Sequence, residues 1–250
     1  MAITPTDKPQ LVLVTGAAGA IGTIVCQYLM SRGHHVRAFD LNTSPHGDEI
    51  LVADLADRAA VRHAVSGCDS VIHLGAYPNN EDFLDVLLKP NVIGLYHVCD
   101  AAREYQVKRL VLASSVQVIW EMPHRLERMI TIEDGHALNN HYALTKLWAE
   151  QMGELYAKKY NVPTIAVRIG WLPRTQAQFD QMASSPHGPE MYLSTNDAAT
   201  FFTAAIEAPD VTYAVLFLSS KPRSGKPFWD LDLAKRTIGW EPRDTFPQGV

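Results

Sequence analysis

Leu11-Val12-Leu13-Val14-Thr15-Gly16-Ala17-Ala18-Gly19-Ala20-Ile21-Gly22 decides how this chain folds. Leu11 to Val14 is an unbroken apolar run, which suits a strand buried on both faces of a parallel sheet. Gly16, Gly19 and Gly22 then stand at the first, fourth and seventh places of a turn. Glycines so spaced let the chain reverse sharply, let its backbone approach a pyrophosphate and let the next helix pack close to the sheet. From Ala20 to Met30, the residues Ile21, Ile24, Val25, Tyr28 and Leu29 recur at helical spacing, and Gly33 ends the helix. A helix opening on such a turn offers free N–H groups and the positive end of its dipole to phosphates. A glycine cluster alone is a weak signal; the strand–turn–helix order around this one predicts a dinucleotide site.

Working outward, Val36 to Phe39 reads as a second strand closed by Asp40, where the fingerprint calls for an acid. A carboxylate there accepts the ribose hydroxyls of the adenosine and repels a 2′-phosphate. Leu41 and Asn42 supply no arginine to offset it, so the expected cofactor is NAD rather than NADP. Asp54 and Leu55 follow a third short strand, Ile50 to Val52. They are candidates for the adenine, although Asp54 fits a helix N-cap equally well. His73-Leu74-Gly75-Ala76 ends a fourth strand. Leu74, Gly75 and Ala76 would pass under the cofactor, while His73 reads as a packed strand residue.

The alternation continues: a helix over Arg58 to Val65, the loop Gly75 to Asn80, a helix over Val92 to Glu104, and a strand over Arg109 to Ala113. A long helix over Tyr142 to Lys159 and a strand over Thr164 to Ile169 follow. This order predicts an α/β fold, a Rossmann-type doubly wound parallel sheet. Pro173 to Pro189 is rich in Pro, Ser, Gln and His and reads as a loop or lid. A helix over Asn196 to Glu207, a strand over Tyr213 to Leu218 and a helix over Asp232 to Ile238 complete the chain. The expected organisation is a flexible N-terminus (1–10), an NAD-binding domain (11–170) and a small C-terminal substrate lobe packed on it (171–250).

Composition narrows the partners. A net charge of −5 argues against a broad nucleic-acid surface. No apolar run reaches the length of a membrane span, and residues 1–10 are polar with two prolines, unlike a signal peptide. The three cysteines, Cys26, Cys68 and Cys99, are scattered, which excludes a disulfide framework, suggests no metal site and fits a reducing cytoplasm.

Tyr142 and Lys146 stand four residues apart, on one face of the long helix. A free phenol is a poor base at neutral pH; a nearby cation favours its ionised form. Such a tyrosine takes the proton of an alcohol as hydride leaves the carbon. Tyr-x-x-x-Lys is common by chance. Downstream of a glycine fingerprint, with Ser114 and Ser115 ending the intervening strand, it is far more specific.

With these motifs the chain resembles the short-chain dehydrogenase/reductase superfamily, in particular its extended branch of NAD-dependent epimerases and dehydratases. The likeness covers Leu11 to Ile169 and reaches weakly to Gly239-Trp240-Glu241-Pro242. It implies that Ser115 polarises the reacting oxygen, Tyr142 is the acid/base and Lys146 its activator. It also places Asn91, Ala113 and Ile169 beside the cofactor. Within the branch the chain is most similar to uronate dehydrogenases, on His73-Leu74-Gly75, Asn91 to Tyr96, Ala113-Ser114-Ser115, Val167-Arg168-Ile169-Gly170 and Gly239 to Pro242. Those enzymes oxidise the anomeric carbon of a hexuronic acid with NAD.

The substrate positions depart from that pattern. Val116-Gln117 replace Asn-His after the serines, and Trp171 replaces a serine. His187 lies near the place of an expected arginine, and Arg174 is an alternative carboxylate clamp. The candidate pocket comprises Tyr77, Asn79, Ser115, Gln117, Trp120, His141, Trp171 and Arg174, with Trp120 and Trp171 as an apolar wall for a small-molecule sugar or sugar acid. Two alternatives stand beside the dehydrogenase: a nucleotide-sugar epimerase holding its NAD tightly, and a non-catalytic dinucleotide sensor. The first normally needs a larger C-terminal lobe, and the second commonly lacks the Tyr or Lys. The resemblance further implies a homodimer.

Overall fold

A computed structural model describes residues 8–122 and 127–249. Up to residue 7, the N-terminal segment expected over 1–10 lies outside the described residues.

Seven parallel strands form one sheet in the order β3-β2-β1-β4-β5-β6-β7. They are β1 (Leu11–Thr15), β2 (His35–Asp40), β3 (Glu49–Val52), β4 (Ser70–His73), β5 (Arg109–Ser115), β6 (Thr164–Ile169) and β7 (Tyr213–Leu218). Val12 sits opposite Val36 on one side and Ser70 on the other, so β1 is central. Strand order reverses there, between β1 and β4, and a crevice opens at the carboxyl ends of the strands.

Helices cover both faces. On one side α1 (Ala20–Ser31), α6 (Thr195–Glu207) and α7 (Asp232–Ile238) pack a core that includes Val14, Val25, Leu29, Phe201 and Leu216. On the other, α2 (Arg58–Val65), α3 (Leu95–Glu104) and α4 (His141–Tyr160) cover Leu13, Val71, Leu110 and Leu112. Burial on both faces is why β1 and the middle of β5 read as apolar runs, while the equally buried β6 carries Arg168 within it. A third apolar cluster (Ile119, Ile130, Met191, Phe217 and Trp229 among its members) lies under the C-terminal end of the crevice.

Three expectations are corrected. The helix expected from Val92 begins at Phe83, as a wide π-helical stretch to Gly94 that runs straight into α3. Pro90 lies inside it. Proline lacks an N–H and crowds the carbonyl of the preceding turn, which a widened turn accommodates. The loop expected over 173–189 contains α5 (Gln176–Ser184), capped where the Gln178 N–H donates to Thr175 Oγ1 at 3.2 Å. Only Met182 of this helix is buried, so it shows almost no apolar periodicity. The boundary expected at Gly170 cuts through the sheet: β7 lies beyond it and pairs residue for residue with β6 from Thr164↔Tyr213 to Ile169↔Leu218.

Candidate active site

The crevice at the strand ends is a cleft of about 980 Å³ running from the glycine turn to the third apolar cluster. At its cofactor end, Gly16 adopts φ +71°, and a Cβ there would come within 2.7 Å of the Gly75 nitrogen. A Cβ on Gly22 would lie 2.0 Å from the Gly16 carbonyl oxygen. Both positions therefore demand glycine. The N-terminus of α1 has no side-chain cap, whereas Asp57, Asn140, Thr175 and Ser194 cap α2, α4, α5 and α6. Its first-turn N–H groups are left for a ligand.

Asp40 accepts the Ala18 N–H at 3.1 Å and the Asn42 N–H at 3.0 Å, one on each carboxylate oxygen, and still faces the cleft. Asp54 accepts the Ala56 N–H at 2.8 Å; the cap of α2 is Asp57, which leaves Asp54 on the cleft wall. Leu55 packs beneath the wall so tightly that a Cβ on Gly75 or Gly94 would strike it, at 2.8 and 2.6 Å. The glycine turn, uncapped helix and Asp40 fit an NAD pyrophosphate and adenosine ribose. Ala20, Ile21, Leu41, Leu74, Ala76, Ala113 and Ile169 complete this end.

Ser115, Tyr142 and Lys146 meet in the middle. The start of α4 is fixed twice: Asn140 Oδ1 accepts the Ala143 N–H at 2.8 Å, and Asn80 Oδ1 the Tyr142 N–H at 3.3 Å. The Lys146 Nζ lies 5.4 Å from the centre of the Tyr142 ring and donates to the Ala113 carbonyl at 3.1 Å. Burial pulls the Lys146 ammonium down to about 8. Burial also pushes the Tyr142 phenol up to about 12, against the opposing pull of the Ser115 hydroxyl and the Arg174 cation. The resting tyrosine is thus a protonated phenol, and lowering its pKa needs further positive charge.

Toward the substrate end, Arg174 Nη2 donates to Asn79 Oδ1 at 3.0 Å. Gln117 Oε1 accepts from Asn140 Nδ2 at 3.0 Å, which ties it to the cap of α4. Trp120 and Trp171 are half-buried on the wall, with Tyr77 beside the loop and His187 against the Phe228 ring at 5.6 Å.

Two expected residues lie elsewhere. Asn91 is buried behind the wall: its amide donates to the Tyr77 carbonyl (3.1 Å) and to Thr145 Oγ1 (3.1 Å), and it accepts the Tyr77 N–H (2.7 Å). It supports the loop and α4 rather than facing the cleft. His141 stands outside the cleft with its ring 5.6 Å from Phe83. His73 is likewise off the wall; its Nδ1 is 2.7 Å from Thr15 Oγ1, and burial holds it neutral, down to about 3. Sequence reasoning missed Ile130, Gln178, Gln181, Met191, Phe228 and Trp229 on the lining. Adjacent aromatics in the otherwise polar stretch 219–230 were the available signal for the last two.

Residues 12–172 match the NAD dependent epimerase/dehydratase family, and the chain belongs to it. A uronate dehydrogenase of Pseudomonas putida is 30% identical over 253 residues, covering 98% of this chain and 87% of that protein. An NAD-dependent glucose-6-phosphate dehydrogenase of Haloferax volcanii is 30% identical over 95% of this chain and 94% of its own length. Among solved structures, a mutant uronate dehydrogenase of Agrobacterium tumefaciens complexed with NAD superposes with a TM-score of 0.80. It is 28% identical over 95% of this chain and 86% of that one. The chain is an NAD-dependent oxidoreductase of the short-chain dehydrogenase/reductase class.

Proposed function

We propose that this enzyme oxidises the anomeric hydroxyl of a small sugar acid, releasing NADH at each turnover. One observation carries the reading: a single cleft holds the glycine turn, the Ser115–Tyr142–Lys146 group and the Arg174 cation, which acts on the Tyr142 phenol. NAD, when bound, supplies the hydride acceptor. Ser115 donates a hydrogen bond to the reacting oxygen, and Tyr142 takes the hydroxyl proton as the carbon–hydrogen bond breaks. Lys146 adds positive charge beside the phenol and hydrogen-bonds the nicotinamide ribose. Arg174, held by Asn79, binds the substrate carboxylate, with His187 nearby. Trp120 and Trp171 stack on the sugar face. Supporting this reading, curated relatives matched along nearly the whole chain include uronate and other sugar dehydrogenases.

Exposed apolar side chains on the π-helical stretch, α3 and α4 (Leu84, Tyr96, Leu144, Trp148 and Leu155) suit a helical homodimer face. Among the described residues no helix is long and apolar enough to cross a membrane, and none of the three buried thiols is paired. A reducing cytoplasm suits them.

The test follows NADH absorbance with purified protein, NAD and a panel of glucuronate, galacturonate and neutral aldoses. The expected result is NADH with the uronates, lost in Tyr142→Phe while NADH binding persists. NADH from neutral sugars alone would refute the sugar-acid substrate. No NADH from any sugar, with NAD co-purifying tightly, would favour an epimerase. Full activity in Tyr142→Phe would refute the base assignment.

A further inference from the structure

Glu150 lies one helical turn beyond Lys146 and two beyond Tyr142, on the same side of α4. It is 3% exposed, and it does not face the cleft. Its Oε1 accepts the Ser114 hydroxyl at 2.7 Å and the Arg168 Nε–H at 2.9 Å; Oε2 accepts the Arg168 Nη2–H at 2.9 Å. Ser114 adjoins Ser115 on β5. Arg168 precedes Ile169 on β6. One carboxylate therefore joins the three elements whose ends carry Ser115, the Tyr142–Lys146 pair and the Ile169 wall. The Glu150 backbone carbonyl also accepts the Tyr213 hydroxyl at 2.9 Å, which adds β7.

The guanidinium of Arg168 is as deeply buried, with its centre 5.4 Å from the middle of the Phe217 ring. Its Nη1 has no hydrogen-bond partner among the described residues, so the cation leans on Glu150. A dry ion pair of this kind adds little net stability compared with apolar side chains of the same size. Its directional bonds fix the separation of the groups it joins.

We infer that Glu150, through Ser114 and Arg168, is a positioning residue for turnover, setting the Tyr142–Lys146 face of α4 against Ser115 and Ile169. The inference rests on the proposed roles of Ser115, Tyr142 and Lys146. It assigns Glu150 no contact with substrate or cofactor. A displacement of the reacting groups slows the chemical step and leaves ground-state binding nearly intact.

Glu150→Gln is therefore expected to lower kcat by about tenfold or more. The KM for substrate and the NADH affinity, read by energy transfer from tryptophan to NADH, should stay within about twofold. Because Glu150→Gln leaves a buried cation poorly paired, the Glu150→Met/Arg168→Met double variant is the second arm. It should recover thermal stability without recovering kcat. A folded Glu150→Gln with kcat within about twofold of the wild type would overturn the inference. So would a double variant that regains kcat along with stability. A third reading needs no substrate: the phenolate absorbance of Tyr142 in the NAD complex, taken as the difference from Tyr142→Phe, should titrate at a different pH in Glu150→Gln. An unchanged titration would overturn the inference. Failure of every sugar acid as substrate would fall on the proposed function alone, and this titration would still decide the role of Glu150.

Discussion

Replacing Lys146 with methionine should make the protein more stable near neutral pH and catalytically inert. Lys146 is 6% exposed, and burial moves its ammonium from its ordinary 10.5 to about 8. At about 1.4 kcal/mol for each tenfold in the proton equilibrium, holding that charge in the fold costs about 3 kcal/mol. Methionine removes the charge and fills a similar volume. It also removes the hydrogen bond to the Ala113 carbonyl, worth about 1 kcal/mol. Below pH 8 the variant should therefore be more stable by about 2 kcal/mol. The sign reverses with pH. Below about 8 both folded and unfolded chains carry the proton, and the penalty is present in full. Between about 8 and 10.5 the unfolded chain holds a proton that the folded chain has released, so this contribution raises wild-type stability with pH. Above 10.5 the penalty is gone, the hydrogen bond remains, and the wild type should lead by about 1 kcal/mol. Burial pushes the Cys26, Cys68 and Cys99 thiols upward, which erodes stability in alkali, but equally in both proteins; it cancels in the difference. Urea unfolding of both proteins across this range reads that difference directly. A variant no more stable than the wild type at neutral pH, or a difference that ignores pH, would refute the reasoning. Turnover should fall by at least about a hundredfold.

Gly22→Ala should weaken NADH binding by more than tenfold, about 1.4 kcal/mol, because its Cβ has no space beside the Gly16 carbonyl. Gly33→Ala, at φ +87° with nothing near its Cβ, should cost about 1 kcal/mol in urea unfolding and leave NADH binding intact. Trp171→Ala should raise the KM for sugar about tenfold and leave that for NAD unchanged; unaltered kinetics would remove Trp171 from the sugar wall. In the pH profile of kcat, the acid limb should lie at higher pH with a uronate than with any neutral aldose the enzyme turns over. In Arg174→Ala both limbs should move to higher pH, because the cation that pulls the phenol down is gone.

The cofactor half of the site was legible because its demands fall on consecutive residues. The glycine turn, the acid closing β2 and the Tyr142–Lys146 spacing are local patterns that folding merely brings to one crevice. The inner strands were legible for a related reason: burial on both faces makes β1 and the middle of β5 apolar runs, whereas β3 is mostly exposed. Asn91 marks the limit of the family resemblance. Its place in the chain puts it near the site, but its amide turns away to Tyr77 and Thr145. Pro90 concealed the π-helical stretch, since proline reads as a break unless the turn widens. The α5 helix was concealed because one buried methionine leaves no periodicity to read. Phe228, Trp229 and Met191 join the cleft lining through contacts between distant segments, such as the bridge from Ile130 to Trp229. No local pattern encodes such contacts.

The charges explain why the two halves of the cleft act together. In the resting site burial opposes charge on both reacting groups, raising the phenol and lowering the ammonium. Positive charge would let Tyr142 act as the proposed base, and the Arg174 cation, beyond α4, pulls its phenol down. A carboxylate bound to Arg174 neutralises that cation. In the proposed reading a sugar acid gains affinity from the same residue whose charge helps ionise the base, and part of that help is lost on binding. A neutral sugar forgoes the ion pair and leaves Arg174 free to act on the phenol. In that reading Arg174 serves both the affinity for a charged sugar and the ionisation of the base, so a substitution there should slow both sugars, and the charged one more.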